Sequence, residues 1–254
     1  MALYKTHAIV LGHRNLGEAD KILTLFSPDR GKIHAVARGV RRPRNPLLAG
    51  SQLFSYSKFL IVEGRNLDSI SQCEIKESFY KIRQNLENMA YGLYFAELLR
   101  ASTPMEDTNR ELFRFFLKTM YLLQEWENKE ILCRIYEIKL MAIQGFAPEV
   151  FSCVSCGQRA LNKIYFSPSM GGILCFHCHK KDEKAVNITS NTLSTLQKML
   201  MLTYEELKNI DMNKHTREQL SNILSIFISH QIDRKLKTVQ FIKDINKLNI
   251  KSSI

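Results

Sequence analysis

Several signals are missing from this chain. Its first twenty residues contain only a four-residue apolar run, Ala8 to Leu11, where a secretory signal needs about 7–15 apolar residues and a membrane span about 20. The expectation is a cytoplasmic chain, in a reducing compartment where paired cysteines more often hold metal than form disulfides. None of the seven histidines sits in H-E-x-x-H or H-x-E, which removes the zinc-protease and zinc-deaminase patterns. Arg30-Gly31-Lys32 lacks Walker surroundings, and neither G-x-G-x-x-G nor G-x-S-x-G occurs. NTPase, dinucleotide and serine-hydrolase chemistry therefore have no anchor. No carboxylate spacing nominates a general acid–base pair, and no repeat or low-complexity tract interrupts the 254 residues. These absences point to a binder and not an enzyme; a diverged nuclease or deaminase is the reading they least favour.

What is present is cationic. Thirty-six Lys and Arg face 25 Asp and Glu, a net charge of +11 with neutral histidines, and the pI is near 9.4. Such a balance favours polyanionic partners, nucleic acid first and an anionic membrane surface second. Hydrophobic residues at 45% and charged residues at 24% are ordinary globular values, and the length allows two compact units with a smaller insert.

The first eighty residues read as strands. "THAIVLGHR" is one; Ile22 to Phe26 ends at the turn "SPDRG" and is followed by "KIHAVARGV", a period-two hairpin signal. "QLFSYSKFLIVEG" and "LDSISQCEIKES" bring the count to about five, which a small antiparallel barrel would close without leaving edges. Near Phe79 the period changes. Ile82, Leu86, Met89, Leu93 and Ala96 recur at helical spacing, and two more helical stretches run to Gly145 and Pro148. Helical patterning resumes at Thr189, Thr216 and Val239. The expected organisation is 1–79 strands, 80–150 and 186–254 helices, and an insert at 151–185.

That insert carries Cys153, Cys156, Cys175 and Cys178, two C-x2-C pairs eighteen residues apart. The spacing suits four thiolates around one zinc ion, and "KIYF" and "ILCF" flank a Gly171-Gly172 turn as a short hairpin. His177 and His179 are alternative ligands. Four thiolates leave no open position, so the zinc is expected to be structural and not catalytic. Cys73 and Cys133 sit among apolar neighbours and read as small buried hydrophobes.

The second informative stretch is "DRGKIHAVARGVRRPRNP", where Arg30, Lys32, Arg38, Arg41, Arg42 and Arg44 occur with no acidic residue between Arg30 and Arg44. Arginine forks on a Pro-rich loop beside a barrel suit a phosphate backbone. The expected phosphate contacts are Arg38, Arg41, Arg42 and Arg44, with Lys21 and Lys32 as outer candidates. Phe54, Tyr56 and Lys58 are expected on one strand face opposite Phe59, where one outward ring could stack a base.

The stretch "GEADKILTLFSPDRGKIHAVARGVRR", Gly17 to Arg42, followed by strands, helices and the four-cysteine insert, resembles the bacterial recombination mediator family RecO. The resemblance covers essentially the full length. It implies an α+β protein: an N-terminal OB-fold, a five-stranded antiparallel β-barrel that binds DNA, then an α-helical domain with an embedded four-cysteine zinc ribbon. It further implies binding of single- and double-stranded DNA, annealing of complementary strands, and a nucleoid-associated place in the cytoplasm. The implied partners are RecR, the C-terminal tail of single-strand-binding protein and, indirectly, RecA. The alternative is a protein-interaction scaffold, its ribbon and helices docking partners, with little DNA affinity of its own.

Overall fold

The computed structural model describes residues 2–159, 162–232, 234 and 236–251. Two compact units account for the chain: Met1–Glu125 with Leu236–Ile254, and Trp126–Lys235.

In the first unit, β1 (Leu3–Leu16), β2 (Asp20–Ser27), β3 (Gly31–Ala37), β4 (Tyr56–Val62) and β5 (Asp68–Glu77) close into an OB-like barrel. Its strand order is β1-β2-β3-β5-β4. Alternation decides which side chains go inside: Leu23 and Leu25, Ile33, Ala35 and Ala37, and Phe59 and Ile61 all face the core. Each Leu or Ile removed from water in this way contributes about 1.5–3 kcal/mol. Four of the five strand pairs are antiparallel, but β3 and β5 run parallel, joined at Ala35–Asp68 and Val36–Ser69. The barrel expected from the alternation was antiparallel throughout. A ring with an odd number of strands cannot reverse direction at every step, so one pair must be parallel.

The region from Ile82 to Ala96 is two helices and not one. Asn85 has extended backbone, and its side chain accepts from the Asn88 N–H, which ends α1 (Tyr80–Gln84) and starts α2 (Leu86–Ser102). The expected apolar stripe is also displaced. Leu86 is 60% exposed, whereas Tyr91, Tyr94, Phe95, Leu98 and Leu99 are buried. α2 is packed by β1, by α3 (Arg110–Glu125) and by the C-terminal α8 (Thr238–Lys251). A helix covered on several sides has no narrow stripe to read.

The second unit is built on α4 (Lys129–Ile143), whose Leu132, Ile135, Tyr136, Ile138 and Leu140 are fully buried. Cys133 is likewise buried, and burial pushes its thiol well up. A sheet of order β7-β6-β8 follows, from β6 (Ile164–Ser167), β7 (Gly172–Cys175) and β8 (Val186–Ile188). Then come α5 (Ser190–Met201), α6 (Tyr204–Leu207) and α7 (Lys214–Ile232), with α5 and α7 against α4. Only Gly171 takes positive φ in the β6–β7 turn, at 73°. Gly172 is needed for proximity: a Cβ there would lie 2.4 Å from the Glu149 carbonyl oxygen. No helix among the described residues is long and apolar enough to cross a membrane.

Candidate nucleic-acid interface and metal centre

Residues 38 to 55 connect β3 to β4 without a strand or helix. Val40 and Leu47 drop into the barrel core, at 0% and 7% exposure, and anchor the segment between them. The backbone is tied down at both margins. The Gly39 N–H donates to Asp20 Oδ1 (2.7 Å), the Arg41 N–H to the Ala19 carbonyl (2.9 Å), and Asn45 Nδ2 to the Arg38 carbonyl (3.1 Å). Arg44 holds left-handed backbone, φ 64°, which costs a non-glycine residue about 1–2 kcal/mol. The result is a fixed loop with its side chains outward.

Those side chains are the four expected arginines. Arg38, Arg41, Arg42 and Arg44 are all exposed. Arg41 Nη1 donates to the Gly17 carbonyl at 3.1 Å; no hydrogen bond or ion pair engages the other three guanidinium groups among the described residues. Lys21 stands opposite Ala37 in the β2–β3 register, next to Arg38. Lys32 is placed differently. Its ammonium donates to the carbonyls of Arg100 (2.7 Å) and Thr103 at the C-terminal end of α2, where a cation meets the negative end of the helix dipole.

The sequence pattern had not singled out Arg14. It is exposed on β1 and pairs with Ile22 of β2, at the same end of the barrel as Lys21 and Arg38. Its charge reaches His34, whose imidazole is held below its ordinary pKa by partial burial and then by Arg14 and Lys32. His13 is lowered similarly, by partial burial and Lys21. The only warning in the sequence was position: "HR" falls at the end of a strand whose partner begins "DK". The opposite end of the barrel differs in sign. There Asp29, Glu63, Asp68 and Glu106 line a cavity of about 570 Å³ with Arg30 and Arg65.

The aromatic reading needs one correction. Phe54 does not share a strand face with Tyr56 and Lys58, because it precedes β4, has φ 69° and is fully buried. It packs on Gly92, where a Cβ would come within 2.9 Å of its ring. Tyr56 and Lys58 do alternate with buried Phe59, and Tyr56 tilts against His7 and Phe113 at 6.0 Å from each.

In the second unit, Cys153, Cys156, Cys175 and Cys178 bring their four Sγ atoms within 4.8 Å of one another. Cys156 and Cys175 are 3.8 Å apart. A tetrahedral ion with metal–sulfur bonds of about 2.3 Å needs sulfur–sulfur edges of about 3.8 Å, so the donor set fits a four-thiolate metal. The Cys153 and Cys175 knuckles are hydrogen-bonded turns, with Gly157 N–H donating to the Cys153 carbonyl (2.8 Å) and Cys178 N–H to the Cys175 carbonyl (3.1 Å). Burial alone would raise the Cys153 thiol, but N–H groups of Cys175, Cys156 and Ser155 at its sulfur bring it down to about 6. Cys156, despite an N–H from Gln158, is pushed up to about 11 by the sulfurs around it. His179 Nδ1 is hydrogen-bonded to the Phe176 carbonyl (2.5 Å), and its ring stacks on Tyr165; the sulfurs converge without either histidine.

The described residues thus combine an OB-like barrel carrying a cationic loop with helices and a four-cysteine module. Two family models match the chain: Recombination protein O N terminal over residues 1–79, and Recombination protein O C terminal over residues 83–240. Among similar proteins is the DNA repair protein RecO of Alkaliphilus metalliredigens, 37% identical over 233 residues, 91% of this chain and 95% of the relative. The DNA repair protein RecO of Symbiobacterium thermophilum is 35% identical over 246 residues, 95% and 97% of the two chains. That of Acetivibrio thermocellus is 30% identical over 249 residues, 98% and 99%. The chain belongs to the RecO family, and its role lies in DNA repair and recombination.

Proposed function

We propose that the chain is a non-enzymatic recombination mediator. It binds single- and double-stranded DNA, anneals complementary strands and, with RecR, helps load RecA onto DNA covered by single-strand-binding protein, working at the nucleoid. Arg38, Arg41, Arg42 and Arg44 hold phosphates, with Lys21 and Arg14 extending the surface along β1 and β2. The ion in the four-cysteine module is a single Zn2+ with a structural role, because four thiolates fill its coordination sphere.

One observation carries the reading. Four exposed guanidinium groups stand on a loop whose backbone is already fixed, so binding phosphate costs little ordering entropy. Cations that screen two phosphate backbones while leaving base edges free allow strands to pair without ATP. The helical part is the proposed dock for the acidic, hydrophobic tail of single-strand-binding protein.

The test is a salt titration of single-strand binding by the intact chain and by a variant with all four arginines replaced by alanine. Each lost phosphate contact should flatten the log–log salt slope by about 0.7, so the variant should lose up to about 3. An unchanged slope and affinity would remove the loop from the interface. No binding by the intact chain at low salt would instead favour the scaffold reading.

A further inference from the structure

We infer that the four-cysteine module carries a second binding site for single-stranded nucleic acid, in which Phe176, His179 and Tyr165 form a stacking platform for an unpaired base. The inference rests on the DNA-binding reading above but concerns different residues in a different unit of the chain.

The three rings form a ladder. Tyr165 and His179 have centroids 4.3 Å apart and planes 16° from parallel; His179 and Phe176 are 5.5 Å apart and 24° from parallel. His179 is the middle rung, fixed through Nδ1 to the Phe176 carbonyl. Phe176 ends the ladder at the surface, 49% exposed. A phenylalanine normally gains by burial. Here two hydrogen-bonded knuckles hold one rigid and half in water, which gives a preformed face for another flat ring.

The surroundings fit an anion-bearing ligand. Lys163 Nζ lies over the Phe176 ring at 5.2 Å from its centroid, and Lys163 is exposed. An exposed cation–π contact is weak, so an arriving base can displace the ammonium onto its own phosphate. Gln158, Asn162, Lys163, Cys175, Phe176 and His177 line a cavity of about 220 Å³ beside the ring, with two amide side chains at its edge. Between residues 151 and 185 the chain has five cations, Arg159, Lys163, Lys180, Lys181 and Lys184, and two carboxylates, Asp182 and Glu183. Asp182 is turned inward, accepting from the hydroxyls of Ser167 and Ser169. The module therefore shows a planar aromatic end, a cationic margin and one free carboxylate. A duplex keeps its base faces stacked inside, so the site takes single strands.

The measurement is equilibrium binding of the full chain to a single-stranded oligonucleotide and to the matching duplex, over a salt series. Phe176→Leu keeps apolar bulk but loses the aromatic plane; Phe176→Trp keeps the plane; His179→Ala removes the middle rung. Metal content is measured for each. Phe176→Leu and His179→Ala should weaken single-strand binding about 5- to 30-fold with normal metal content, little change in duplex affinity and a salt slope flattened by no more than about 0.7, the one phosphate contact that Lys163 gives up, since stacking itself releases no counterions. Phe176→Trp should bind like the parent. Equal losses on single strand and duplex, or parental affinity in Phe176→Leu, would overturn the platform; the latter would make Phe176 an apolar contact for a protein. Failure of the parent chain to bind DNA would overturn the DNA-binding reading itself, whereas loss of the platform alone leaves the arginine loop standing.

Discussion

At the residue scale, neighbours in three dimensions change what a side chain does. Lys32 and Arg38 belong to one basic run, yet Lys32 caps the carbonyls of Arg100 and Thr103 while Arg38 faces water. Sequence spacing gives no sign of this, because the partners lie 68 and 71 positions away. Lys32→Met should lower stability by about 1–3 kcal/mol, the size of a charged hydrogen bond left unmade, and leave the salt slope of DNA binding unchanged. Urea denaturation and the salt titration read the two effects separately; a flattened slope would make Lys32 a phosphate contact. Phe54 teaches the same lesson from the apolar side. Period-two counting put it with Tyr56, but its positive φ breaks the alternation two residues before β4 begins.

At the element scale, the barrel was legible because β3 and β4 bury alternate residues, a pattern that survives without knowledge of partners. Its one parallel pair also follows from parity once the strands number five. The four-cysteine module was legible for a different reason, since metal geometry is imposed locally by C-x2-C turns. The buried face of α2 was hidden because several elements cover that helix at once. One of them, α8, is held by Glu97 of α2. Its carboxylate accepts from the N–H groups of Lys237 (3.0 Å) and Thr238 (2.8 Å) and from the Thr238 hydroxyl (2.6 Å). Burial would raise the Glu97 pKa, but these donors outweigh it and hold the carboxyl below its usual value. A depressed folded pKa means the stabilisation is complete above the unfolded value of about 4.3 and is lost as the pH falls through the folded one. Glu97→Gln should weaken the cap by about 1 kcal/mol at neutral pH, seen as faster amide exchange in 238–245. As the pH falls below the unfolded value of about 4.3 the difference between parent and variant should shrink, and it should vanish once the folded carboxyl is protonated; a difference that does not shrink on acidification would mean the carboxylate charge is not what holds the helix.

At the scale of the whole molecule, the proposed annealing by a +11 chain through charge screening predicts a particular concentration dependence. The rate of pairing between complementary oligonucleotides, followed by fluorescence quenching without nucleotide, should rise with protein and then fall. At excess, both strands are coated and two cationic complexes repel each other. A rate that climbs to a plateau and stays there would point to strands bridged through protein contacts. Composition pointed to a polyanionic partner. It could not locate the surface, because the barrel carries cations at one end and mainly carboxylates at the other, and only the fold separates them.

The return of α8 to the unit that contains the barrel has a consequence for how the protein is made. Residues 126–235 are translated after the barrel strands and before the helix that packs on α2. At about 5–20 residues per second, the site that receives Ile242 and Ile245 waits on the order of ten seconds for its cover. During that interval the nascent chain shows an open apolar groove on its oldest part. A ribosome stalled anywhere in 126–235 leaves that groove exposed, in a form that chaperones and proteases can distinguish from the finished molecule.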